Sequence, residues 1–105
     1  MENRKLVHSV FFTLKDKSDD AVGTLIDDCY SYLEESEGII YFSAGNLVSE
    51  HDREVNVKDY QVGLQIVFSN KSSHDKYQKS EKHNIFVERN NKNWAKVRVF
   101  DTYSR

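Results

Sequence analysis

Nine residues near the start of the chain, Leu6 to Leu14, alternate so that Leu6, His8, Val10, Phe12 and Leu14 fall on one side and Val7, Ser9, Phe11 and Thr13 on the other. A period of two marks a strand, because successive side chains of an extended backbone point to opposite faces. Both sides are fairly apolar, so a sheet built around this strand needs cover on each face. A length of 105 residues supports one hydrophobic core and is too short for two, which predicts a single domain over residues 1–105.

The remaining elements follow from periodicity and punctuation. Ser18 ahead of Asp19 and Asp20 reads as a helix start: its hydroxyl can accept an orphan backbone N–H, and the carboxylates suit the positive end of the helix dipole. Val22, Leu25, Ile26, Cys29, Tyr30 and Leu33 recur at spacings of three and four, which predicts one buried stripe, with Gly38 as the left-handed residue ending that helix. Ile39 to Val48 and Tyr60 to Ser69 read as second and third strands, joined by a charged loop over Ser49 to Asp59. Ser72 or Ser73 caps a short helix running to about Lys79. Ser80 caps another that covers Ile85, Phe86 and Val87 and ends near Asn90-Asn91, and Ala95 to Tyr103 is the last strand.

Strand, helix, strand, strand, helix, strand is the order of a ferredoxin-like βαββαβ fold of the α+β class, a four-stranded antiparallel sheet with its helices on one face. Leu6, Val10, Phe12, Val62, Leu64, Ile66, Val97 and Val99 are then expected on the inner face. Val7, Phe11, Val67 and Phe100 are left on the outer face among Gln65 and Arg98. A second copy of the sheet is the simplest cover for that outer face, which predicts a homodimer forming a dimeric α/β barrel.

Composition removes several function classes. Fifteen Lys plus Arg against seventeen Asp plus Glu, interspersed in sequence, give no basic stripe for nucleic acid or an anionic membrane. No stretch of eighteen apolar residues and no leader-like segment predict a soluble, cytoplasmic protein. The single Cys29 falls on the helical stripe and reads as a small core hydrophobe. Serine-hydrolase, phosphate-loop and dinucleotide signatures are absent from the sequence, and no cofactor is expected. His51 and His74 lie in charged segments expected to be exposed, and no Cys/His spacing predicts a metal site; a hard cation on loop carboxylates and carbonyls stays open.

Three residues remain that can carry chemistry. His8 sits mid-strand on the inward side, where an imidazole needs a hydrogen-bond partner. Tyr77 and His83 lie six residues apart across the break at Ser80, and the break lets both face one pocket. At the third position of a helix capped by Ser80, His83 would meet the positive end of the dipole and stay neutral, available as a base, with Tyr77 as hydrogen-bond donor to a developing oxyanion. Phe12, Tyr30, Val62, Trp94 and Val97 are the expected apolar lining for a small ligand. The bland alternative is a satisfied core histidine at position 8, a packed Tyr77, a solvated His83, and Tyr30 and Trp94 as plain core.

Val7-His8-Ser9-Val10 on the first strand, Gly45-Asn46 ending the second, Phe68 closing the third, then Tyr77, His83, Phe86 and a terminal Val97-Arg98-Val99-Phe100-Asp101 together resemble the stress-responsive A/B barrel, or Dabb, family. The resemblance runs from about Leu6 to Tyr103. It implies the dimeric α/β barrel and a stress-linked role, but no single activity. The family includes a polyketide cyclase that closes a linear polyketide by aldol condensation, with a histidine base and a tyrosine steadying the carbonyl. Tyr77, His83 and His8 match its residues in position. This chain departs from the family at Ser80-Glu81-Lys82-His83, where His-Pro-x-His is common, and at Val62, where the cyclase has another pocket histidine.

Overall fold

A computed structural model describes residues 4–105 as four strands and three helices. Strand β1 spans Leu6–Leu14, helix α1 Asp19–Leu33, β2 Ile39–Asn46, β3 Val62–Phe68, α2 Lys71–Lys79, α3 Glu81–Asn90 and β4 Trp94–Tyr103, with a 3-10 turn at Asn91–Asn93. The sheet order is β2-β3-β1-β4, every neighbouring pair antiparallel. This is the expected ferredoxin-like arrangement.

Strict alternation in β1 becomes strict alternation of burial: Leu6, His8, Val10, Phe12 and Leu14 are buried and the residues between them half-buried. The core joins that row to Val62, Leu64, Ile66 and Phe68 of β3, to Val22, Leu25, Cys29 and Leu33 of α1, and to Tyr77 and Phe86 of α2 and α3. Ser18 caps α1 by accepting from Ala21 N, as its sequence position requires. A polar bolt ties the helices together: Asp28 of α1, itself buried, accepts from Arg89 Nε at 2.9 Å and from Asn90 Nδ2 at 3.0 Å on α3.

Several sequence expectations are corrected. Helix α1 ends at Leu33, so Gly38 is not its C-terminal cap; Gly38 has φ +87° in the turn that opens β2. A side chain there would collide with Ser73 of α2, so this glycine answers both a left-handed backbone and a close approach. Helix α2 is capped by Asn70, which accepts from Ser73 N, rather than by Ser72 or Ser73, because the turn after β3 is short enough for Asn70 to close it. Strand β2 stops at Asn46 rather than Val48, and β3 starts at Val62 rather than Tyr60.

Val97 and Val99 are 39% and 51% exposed, not core. The strand carrying them is at the sheet edge, while the helices pack chiefly on one another and over β2 and β3. Tyr30, expected in the buried stripe, is 40% exposed: its hydroxyl lies 3.2 Å from Ala44 N, and its ring meets Phe42 on β2.

Replacing Gly38 by alanine should cost about 2 kcal/mol or more, since a Cβ meets both the unfavourable φ and the Ser73 side chain. Urea unfolding of Gly38→Ala reads this as a lower midpoint at unchanged slope; a midpoint equal to that of the parent would refute it.

Candidate functional site

The uncovered inner face of β4 leaves a cleft of about 230 Å³ between sheet and helices, lined by His8, Phe12, Tyr77, His83, Phe86, Trp94, Val97, Val99 and Asp101 among others. Each polar group arrives there for a local reason. His8 is the one polar member of the inward row of β1. Cross-strand pairing puts Asp101 of β4 directly opposite, and His8 Nδ1 donates to Asp101 Oδ1 at 2.6 Å. An imidazole that donates from Nδ1 carries its lone pair on Nε2 when neutral.

Ser80 does two jobs. Its N–H and hydroxyl donate to Tyr77 O and end α2; the Ser80 hydroxyl oxygen also accepts from His83 N at 3.1 Å and starts α3. The change of direction brings the rings of Tyr77 and His83 edge to face with centroids 5.0 Å apart, and Tyr77 lies 5.9 Å from His8. The three residues singled out from sequence therefore converge.

Of the expected apolar lining, Phe12, Trp94 and Val97 face the cleft. Phe12 stands at its floor, with ring centroids 5.1 Å from Trp94 and 6.3 Å from Phe86. Val62 and Tyr30 do not line it. Val62 is fully buried in the core beneath the helices, and Tyr30 is on the far side of α1 against β2. Sequence reasoning missed Asp101, whose place is legible only once the β1–β4 register is known.

His74 is the larger miss. Expected in an exposed charged segment, its side chain is 14% exposed, and its ring lies 5.0 Å from His8 and 5.5 Å from Phe68. Starting α2 at Lys71 puts His74 one turn before Tyr77, on the face turned to β1. His74 Nδ1 donates to Asp75 at 3.1 Å, and Asp75 also accepts from Lys71 Nζ at 2.7 Å. Among the described residues, His74 Nε2, His83 Nδ1 and Trp94 Nε1 are buried ring nitrogens with no hydrogen-bond partner.

Burial sets the protonation of the site. It pulls the His8 pKa below its ordinary 6.5, against the raising influence of Asp101. It also lowers that of His83, helped by charge on His8 and His74. The Tyr77 phenol is pushed well above its usual range, again by burial, so it keeps its proton. The Cys29 thiol, pushed up to about 12 by burial, is no nucleophile.

The sequence profile of the Dabb family, the Stress responsive A/B Barrel Domain, matches residues 6–104. The chain belongs to the Dabb family. Solved structures share its fold. A dabb family protein with a ferredoxin-like fold from Mesorhizobium loti is 22% identical, over 97% of this chain and 98% of that one, at a TM-score of 0.80. A dimeric ferredoxin-like protein of unknown function from Thermobifida fusca is 14% identical, over 99% of each chain, at 0.78. The hydroxynitrile lyase of Passiflora edulis is 14% identical, over 98% of this chain and 95% of that one, at 0.77. Among curated proteins none matches the sequence. Among the described residues of this Dabb chain, no helix is long and apolar enough to cross a membrane.

Lowered histidine pKa values make stability depend on pH. Below about 6.5 the unfolded chain protonates at His8 and His83 while the folded chain resists, so unfolding binds protons and acid favours it. Their contribution is fully present above 6.5 and is lost as pH falls through the depressed values. The urea midpoint should therefore drop between about pH 7.5 and pH 5.5, and less steeply in His83→Gln. A midpoint that is flat or rises over that range would contradict this account.

Proposed function

We propose that this Dabb chain acts as a homodimer, one cytoplasmic domain per subunit, whose cleft binds a small apolar molecule bearing a carbonyl or similar oxygen. The reading is carried by two buried ring nitrogens without partners, His83 Nδ1 and Trp94 Nε1, both belonging to residues that line a mainly hydrophobic cleft. An indole N–H can only donate, so whatever satisfies it must accept. A carbonyl oxygen accepts, while the rest of such a molecule would lie on Phe12, Phe86 and Val97. Concave sites with an apolar wall and few polar groups are the usual setting for such ligands.

The dimer is supported by the sheet's outer face. Phe100 is 54% exposed, with its ring 5.9 Å from that of Phe11, and Val55 and Val57 of the loop 49–59 are exposed beside them. An apolar patch of this kind suits a second copy, and the Thermobifida fusca protein is described as dimeric.

One contact favours an enzyme on the same site, of cyclase, isomerase or cofactor-free monooxygenase type. Tyr77, protonated, lies against His83, neutral, which is the pairing a proton abstraction next to a carbonyl needs. His83 would take the α-proton while the Tyr77 hydroxyl donates to the oxygen that gains charge, with His8 held by Asp101 in support.

Titration with the fluorescent naphthyl ketone prodan tests the cleft. A saturable blue shift is expected, and Tyr77→Phe and His83→Ala should each weaken it by roughly two- to tenfold, the worth of a hydrogen bond; no saturable shift would sink the binding reading. Deuterium exchange at the α-carbon of cyclohexanone, followed by NMR, separates the enzyme. Loss of about a hundredfold or more in His83→Ala supports it, and a parent rate equal to that of buffer removes it while leaving the binding intact. By light scattering the parent should be a dimer and Phe100→Glu a monomer, because Phe100 is too exposed to be needed by its own core; a monomeric parent would refute the dimer.

A further inference from the structure

Beside the cleft, one ligating atom from each of His8, His74 and Asp101 lies within 4.8 Å of the other two. The three come from β1, α2 and β4, so no sequence spacing betrays them. We propose that His8, His74 and Asp101 form a binding site for a divalent first-row transition metal, with His74 ligating through Nε2.

Three features of the side chains carry this. His74 Nε2 is buried and unpartnered, an expensive state for a polar atom that neither the core nor the proposed ligand cleft explains, since His74 does not line that cleft. Its other nitrogen donates to Asp75, which fixes the tautomer with the lone pair on Nε2. A carboxylate behind the imidazole is the usual support of a metal-binding histidine, and Lys71 in turn holds Asp75. Two imidazoles and one carboxylate are a donor set for zinc, iron, cobalt or nickel, and a poor one for magnesium or calcium, which prefer all-oxygen shells.

Bonds of about 2.0–2.1 Å in a tetrahedral site place ligand atoms roughly 3.3 Å apart, so His74 must close in. His8, ligating through Nδ1 with its proton moved to Nε2, exchanges its 2.6 Å hydrogen bond to Asp101 for a shared metal, and the two must open slightly. Asp101 can supply that movement, being 42% exposed on an edge strand. Three protein ligands leave a coordination position for water or a ligand oxygen, and His8 and Asp101 both line the cleft into which it could open.

Cobalt(II) is the probe, added to untagged, chelator-stripped full-length protein without any cleft ligand, so the outcome is independent of what the cleft binds. One cobalt per chain is expected, with the visible absorption of a low-coordinate site and displacement by zinc. His74→Ala and His74→Gln should each weaken binding by at least about a hundredfold, and Asp75→Asn, which touches only the support, by about 10- to 100-fold. Circular dichroism checks that each variant is folded; Asp75 is exposed enough for its amide to be tolerated. Absence of stoichiometric binding, binding unchanged in both His74 variants, or binding abolished instead by substituting the exposed His51 would each overturn the proposal.

Discussion

The inward row of β1 is the constraint on which the rest of the molecule is built. Five alternate residues of one central strand touch the core, and because the side-chain period is two, a slip of one residue would turn all five outward. Four of the five are apolar and hold the register by burial. The fifth, His8, is the polar exception, and the register that buries its neighbours also sets it opposite Asp101. Hydrophobic packing thus positions the one pair of groups at the sheet that hydrophobic packing alone would reject.

Ser80 plays the corresponding role in the helical layer. On an unbroken helix, residues six apart point roughly 120° away from one another, so Tyr77 and His83 would not share a site. By ending one helix and capping the next, a single serine converts that separation into an edge-to-face contact. The energetic cost of interrupting the helix is limited, because the same side chain engages Tyr77 O and His83 N at the break.

What the sequence reveals divides along the same lines. Local periodicity and caps locate β1, α1, the break at Ser80 and the ferredoxin-like order, since each depends on residues a few positions apart. Gly38 and Tyr30 depart from their local pattern, and Val97, on its expected face, lacks the expected cover, because their environments are tertiary. Gly38 answers to Ser73 across the turn, Tyr30 to Ala44 on β2, and Val97 to the position of β4 at an edge the helices do not roof. His74 illustrates the same limit at the site. A charged, serine-rich stretch looks exposed, yet a helix that starts two or three residues earlier than expected turns one face of it into the interior.

His8, His74 and His83 are gathered around the ring of Tyr77 or next to one another, and charge on any one of them opposes charge on its neighbours. Burial acts in the same direction, so near neutral pH His8 and His83 offer lone pairs and N–H groups instead of positive charge. Such a surface gains little from an anion, which would need countercharge that the desolvated rings resist supplying. It can gain from a neutral oxygen-bearing molecule, which exchanges hydrogen bonds without net charge, or from a cation, which lone pairs solvate directly. Burial of histidines that a plain core would replace with leucine is therefore most economically understood as selection for occupants of those two kinds, and the shared residues His8 and Asp101 would couple the one to the other.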